Sequence, residues 1–322
     1  MSVTQTRRKR NFAVVAIAAV GVLTSLATAA SAPVVVKASP RNEIAPAAAG
    51  DWFAWSRSRG KRESPFDVFA QQTGSPAFKV NPRGTQAFTG GIDGTTLVYQ
   101  LIRGRRSLHS DLRLYDLATR HQLPMPAFVN SPRWECCATI SGGWILYNRG
   151  MERSAATQLV LLRNLTTGEQ RVLDTISGRN SVVSAGQLNG NFAVWQRCDP
   201  HPRCKIFRYD LASGSATALA PTPGKIVYGP SVNLSGTVYY AQSDRGCGKS
   251  VQLVKQPVDG AAQAILALPP GQDLVVTYAT RVTTPPPLRS QTTRIYYDLL
   301  RCKTHRWDIY RVDDTESIPP PP

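Results

Sequence analysis

Residues 208–219 read RYDLASGSATAL: a short apolar-polar alternation, an Asp-Leu pair, a Gly-bearing turn and a second extended run. Worn copies of this hairpin recur along the chain. Aligned on the hydrophobic residue of the Asp-Leu pair, DLRLYDLATR gives Leu117, QLVLLRNLTTG gives Leu165 and KIFRYDLASG gives Leu211. VQLVKQPVDG gives Val258, WDIYRVDD gives Val312, and FDVFAQQTG places Gln71 in the same slot. Successive spacings are 46, 48, 46, 47 and 54 residues. A second landmark runs in step, a Gly-led strand ending in an aromatic residue. It appears as GDWFAW (Trp55), GTTLVY (Tyr99), GWILY (Tyr147), GNFAVW (Trp195) and GTVYY (Tyr240), while TRIYY (Tyr297) lacks the Gly. Two landmarks in phase, six times over, identify a repeat. A period of this length made of short strands means a radial or stacked array.

Each period has room for four strands, predicted in the fourth copy at 181–188, 191–196, 205–210 and 216–219. Strands three and four meet through ASG, TTG or DG, where Gly supplies the positive φ of a tight hairpin. Asp or Asn opens that turn by capping backbone amides, so Asn164 of NLT is a turn residue before it is a glycosylation acceptor. The predicted fold is all-β: a six-bladed β-propeller of four-stranded antiparallel blades. The last copy runs out into a Pro-rich tail (316–322), and proline cannot donate to a central ladder. Blade six therefore lacks its outer strand. VVVK (34–37) belongs to no repeat, and it is assigned there as an N-terminal strand that closes the ring.

The first residues read differently. Arg7-Arg8-Lys9-Arg10 precedes the apolar run FAVVAIAAVGVL (12–23) and the small-residue sites Ala27-Thr28-Ala29 and Ala30-Ser31-Ala32. That order is a secretory signal over 1–32, with Ala29 the better cleavage point because Pro33 follows Ala32. The protein is expected to be secreted or associated with the cell envelope, with 33–322 as one propeller domain. Without residues 1–32, which carry four basic groups and no acidic ones, 34 Lys+Arg face 21 Asp+Glu, a net charge of about +13. Six cysteines in an exported chain read as disulfides rather than thiol chemistry. Cys198 and Cys204 flank the loop DPHPR between strands two and three of the fourth copy, where a hairpin sets them opposite one another. Cys247 and Cys302 occupy the equivalent loops of copies five and six and are expected to bridge between them. Cys136 and Cys137 are consecutive; a strained vicinal disulfide and buried thiols are both open to them, with buried thiols favoured.

The pattern YDL-x-x-G after a Gly-aromatic strand, in an exported chain, resembles the TolB-like, WD-related propeller repeats across residues 43–314. The sequence departs from those repeats in lacking a strong Ser-Pro-Asp-Gly turn before strand two; Ile44-Ala-Pro, Gln187-Leu-Asn-Gly and Asn233-Leu-Ser-Gly stand in its place. The resemblance implies a scaffold whose funnel-shaped face binds partners such as peptides or other envelope proteins.

Few residues suggest chemistry. GCGKS (246–250) lacks the first Gly of a phosphate loop and precedes a strand, so it reads as a basic hairpin loop. His109, His121, His201 and His305 lie in or beside loops without metal-ligand spacing. No metal or cofactor is called for. Propeller enzymes use carboxylates around the channel, and Asp51, Asp93, Asp199, Asp244 and Asp298 are the candidates for such a pair. Basic runs in two strand-two-to-three loops supply Arg57, Arg59, Lys61, Arg62, Arg103, Arg105 and Arg106 as a rim that attracts anionic envelope polymers, lipid head groups at the membrane surface or an acidic protein. The aromatics recur at buried strand positions and not among these loops, which argues against nucleic acid. The expected function is that of a monomeric, non-catalytic scaffold that binds a protein or anionic polymer through one face. The alternative is a propeller hydrolase or lyase acting on an extracellular carbohydrate-like substrate.

Overall fold

The computed structural model describes residues 30–60, 65–102, 109–150, 157–178, 180–199, 203–220, 222–282 and 290–317. Within them six four-stranded antiparallel sheets follow one another around an axis. In the fourth blade the strands are Val182–Asn189, Phe192–Cys198, Cys204–Asp210 and Ser215–Ala218, as the repeat predicts. The first strands of all six blades form the inner ring: Glu43–Ala49, Gln86–Asp93, Glu135–Ser141, Val182–Asn189, Ile226–Val232 and Gln272–Val282.

The hairpin chemistry is the one the repeat encodes. Asp116 Oδ1 accepts the amide of Ala118, Asn164 Oδ1 accepts those of Thr166 and Thr167, and Asp210 Oδ1 accepts that of Ala212. The hydrophobic residue that follows ties the turn to its neighbour: Leu117, Leu165 and Leu211 each donate to a carbonyl of the turn between strands one and two.

Ring closure is carried by Val34–Lys37, which pairs antiparallel with Arg306–Ser317 in the outer position of blade six. The amide of Ser31 extends the seam by donating to the carbonyl of Asp313. The long spacing of 54 residues before the last copy also has a cause. Strands one and two of blade six, Gln272–Val282 and Ser290–Arg301, are 11 and 12 residues, longer than their counterparts.

Strand alternation gives the landmark aromatics a second meaning. Trp55, Tyr99, Tyr147, Trp195, Tyr240 and Tyr297 are all at most 2% exposed. Tyr99 packs among residues of blade one, Tyr147 among those of blade two and Trp195 among those of blade three, so the landmark faces the preceding blade. The residue after it, on the opposite face of the strand, faces the following blade. Ser56 Oγ accepts the amide of Thr89, Asn148 Oδ1 that of Ala185, Gln196 Oε1 that of Gly229, and Asp298 that of Ala45. Gln100 reaches blade three through Ser110, whose hydroxyl donates to the carbonyl of Glu135. Blade five has Ala241 in this slot, and there Thr277 of blade six instead donates to the carbonyls of Gly229 and Tyr239. Apolar side chains fill the rest of each interface, for example Val98, Leu112 and Leu114 against Ile145, Tyr147 and Leu161. Full burial of such a side chain contributes about 1.5–3 kcal/mol.

Candidate functional site: a blind cavity on the axis

Each inner strand carries a β-bulge at the same place, between Ile44 and Ala47, Thr89 and Ile92, Cys136 and Thr139, Ala185 and Leu188, Tyr228 and Ser231, and Leu274 and Thr277. A bulge bends its strand. The six bends surround a cavity of about 640 Å3 on the axis. Its lining comes from the first halves of the inner strands and the ends of the second strands, so it lies toward the face that carries the strand-two-to-three loops.

Three half-buried aromatics, Phe88, Trp134 and Tyr228, stand around this space, with the amides of Gln100 and Gln196 between them. Thr89, Thr277, Ser184 and Cys137 add small polar groups. No acidic, basic or histidine side chain is among the described residues that line it.

The far end is shut by contacts between blades that are not neighbours. Gln187 of blade four behaves like a strand residue toward Ala279 of blade six: its Nε2 donates to that carbonyl at 2.6 Å and its Oε1 accepts that amide at 2.9 Å. The same Oε1 accepts the amide of Val232 in blade five. Tyr278 of blade six crosses to blade two, where its hydroxyl accepts the amide and donates to the carbonyl of Ile92, both at 3.3 Å. The axis is therefore a blind funnel with a hydrogen-bonded floor. Gln187, read from sequence as part of a weak turn, is the centre of that floor; Asn233 does make a turn, accepting the amides of Ser235 and Thr237.

The candidate basic residues are divided. Lys61, Arg62, Arg103, Arg105 and Arg106 lie outside the described residues. Arg57 is engaged by Glu43 at 2.8 Å and lies over the Phe69 ring. Arg59 is paired with Asp67 at 2.7 Å. Burial pushes the Asp67 carboxyl up, but hydrogen bonds from Arg59, Lys79 and Asn81 outweigh it and hold the pKa at about 2. The Arg57–Glu43 pair has a twin in blade three, Arg149 with Glu135 at 2.9 Å, both acids being fully buried first residues of inner strands.

The five candidate carboxylates do not come together. Asp51 and Asp93 stand at turns between strands one and two, whereas Asp199 and Asp244 stand in strand-two-to-three loops at the opposite face. Asp93 accepts the amide of Gly142, Asp199 the hydroxyl of Ser181, and Asp244 pairs with Lys225. Asp298 is buried between blades six and one.

Disulfides join Cys198 to Cys204 and Cys247 to Cys302. Cys198 and Cys204 are direct cross-strand partners with Cα atoms 3.9 Å apart, nearer than the usual 4.4–6.8 Å range. The second bridge links blades five and six with Cα atoms 5.9 Å apart. Cys136 and Cys137 are not joined in a disulfide, and only Cys136 is buried. Simple strand alternation would separate their side chains. The bulge overrides it: Cys137 adopts φ 58° and the two Sγ atoms lie 2.8 Å apart, with Cys137 in the cavity wall.

No protein-family model matches this sequence, nor does any curated relative. Solved structures do match in shape. A putative TolB from Agrobacterium tumefaciens superposes with a TM-score of 0.54 at 13% identity, over 85% of this chain and 91% of that one. The fold is that of a TolB-like propeller. The β-propeller domain of the Trilobed protease from Pyrococcus furiosus gives 0.52 at 10% identity, over 87% and 98%. That domain has an open velcro topology, whereas this TolB-like ring is closed by Val34–Lys37. TolB from Acinetobacter baumannii gives 0.49 at 14% identity over 79% of this chain, which spans 61% of that protein's length. At these identities the likeness is one of fold.

Proposed function

We propose that this protein is a non-catalytic, exported propeller that binds a protein partner through the face on which the axial cavity opens. The uncharged lining of a blind cavity supports this most. Aromatic walls, together with the Oε1 of Gln100 and the Nε2 of Gln196, the halves of those amides not used in the links between blades, suit an inserted neutral segment whose backbone they can meet. The same face carries the strand-two-to-three loops, whose Arg and Lys residues attract acidic groups flanking that segment. They serve an anionic envelope polymer or lipid head groups equally well. Two disulfides support an oxidising, extracytoplasmic location. A glycoside hydrolase of the usual kind needs paired carboxylates at the cavity, and the dispersed positions of Asp51, Asp93, Asp199, Asp244 and Asp298 give that reading no support.

The test is site-specific photo-crosslinking in intact cells. A photoreactive residue at Phe88 or Trp134 is expected to give one discrete protein adduct. The same residue at Val172, on the exposed outer strand of blade three, should give none. Equal labelling from all three positions would overturn the reading, and turnover of an extracellular polysaccharide by the purified protein would favour the enzyme.

A further inference from the structure

The position that Cys137 occupies is the first bulge residue of its inner strand. The other five blades hold Ala45, Gly90, Gly186, Gly229 and Val275 there. A non-glycine residue in the left-handed region costs about 1–2 kcal/mol, and at Cys137 the outcome of that conformation is specific. It turns the thiol into the cavity and onto the sulfur of the preceding residue, which alternation would have pointed elsewhere. The two sulfurs are 2.8 Å apart, so a bond of about 2.05 Å needs an approach of roughly 0.8 Å.

We propose that Cys136 and Cys137 form a thiol–disulfide exchange site in the cavity wall, which takes a low-molecular-weight disulfide as its oxidant and closes to a vicinal disulfide. The Cys137 thiolate attacks one sulfur of the incoming disulfide; a mixed disulfide forms and the first small thiol departs. Cys136 then loses its proton and attacks Cys137 Sγ, which expels the second small thiol. Two protein thiols are oxidised and one disulfide is reduced to two thiols, with the two protein thiol protons passing to the released sulfurs.

The roles follow from placement. Cys137 is exposed to the cavity, whereas Cys136 is 4% exposed and behind it. The hydrogen bond with the neighbouring Cys136 thiol is the largest influence on Cys137 and lowers its pKa; partial desolvation by the cavity wall opposes this, and Ser184 lowers it further. Contact with Cys137, together with burial, pushes Cys136 up. The better nucleophile is thus the one a solute can reach. Because Cys137 lies inside the cavity beside Trp134 and Ser184 rather than on the outer rim, the oxidant must be small enough to enter. The proposal does not depend on the binding function, because its readout is thiol content.

The folded protein is first treated with a mild dithiol, then with oxidised glutathione. Remaining thiols are alkylated under denaturing conditions and the peptides mapped. The wild-type peptide holding 136 and 137 should escape alkylation and weigh two hydrogens less than its dithiol form. Cys136→Ala should instead stop at a stable glutathione adduct on Cys137, and Cys137→Ala should stay reduced. Double alkylation of the wild-type peptide after oxidation would overturn the proposal. So would a glutathione adduct as persistent in the wild type as in C136A, or oxidation by a folded protein disulfide alone.

Discussion

Both carboxylate oxygens of Asp298 lie 3.0 Å from the backbone nitrogen of Ala45, 253 positions away, across the seam between blades six and one. Asp298 is 2% exposed, and burial raises its pKa from 3.8 to about 8, with the Ala45 amide pulling the other way. Between those values the folded chain keeps a proton that the unfolded chain has released. Stability contributed by this group is therefore lost as pH rises from about 4 to about 8. Asp298→Asn keeps an acceptor for the amide without a charge. Denaturant midpoints should show wild type losing up to about 1.4 kcal/mol per pH unit relative to the variant across this window. Parallel pH profiles for the two would show that Asp298 is ionised in the fold.

Close approach of the inner strands gives a second prediction. A Cβ on Gly186 would collide with the carbonyl oxygen of Pro230, and one on Gly90 with that of Ala138. Both obstacles are backbone atoms of the next blade. Gly186→Ala is expected to cost about 2–3 kcal/mol, whereas Gly60→Ala, with no described atom within 4 Å, should be nearly neutral. Equal denaturant midpoints for the two variants would mean the inner ring has slack.

These two sites show where sequence reading reached and where it stopped. The blades were legible because Asp-Leu hairpins and buried aromatics repeat with the fold's own period, and the closing strand because Val34–Lys37 had no place in any repeat. The links between blades were also written there, in the polar residue after five of the six landmarks (Ser56, Gln100, Asn148, Gln196, Asp298), but a strand's two faces gain meaning only once neighbouring blades are placed. The floor was out of reach. Gln187 meets Ala279 and Tyr278 meets Ile92 because three-dimensional closure brings alternate blades together, and no local pattern marks such a pairing. The turn of Cys137 into the cavity was equally out of reach, because a bulge has no signature in the Cys136–Cys137 pair itself.

The crosslinks differ in the loop they close. The 198–204 bridge spans a sequence separation of 6 and the 247–302 bridge one of 55. Chain-entropy arithmetic gives about 2 kcal/mol for the first and about 4 kcal/mol for the second. Cys302→Ser should therefore lower the unfolding midpoint more than Cys204→Ser. Non-reducing peptide mapping should recover both linkages; a 198–247 or 204–302 peptide would contradict the register of blades four to six.

The seam itself can be opened. Lys37, the last residue of the closing strand, sits with Nζ 4.4 Å from the centre of the Trp55 ring and 2.6 Å from Gln71 Oε1, so one side chain ties the N-terminal strand of blade six to blade one. Burial is the chief cause lowering its pKa, followed by Arg57. Lys37→Ala should cost about 1 kcal/mol, the scale of a partly desolvated cation–π contact. Deleting 34–37 removes in addition the ladder to Ile309, Tyr310 and Arg311, at about 1 kcal/mol for each hydrogen bond lost. Because blade six has no other outer strand, hydrogen exchange in the deletion should accelerate first at 307–312 while blades three and four keep their protection. Uniform acceleration would mean the ring fails as a whole, and no acceleration would mean that closure does not rest on this strand.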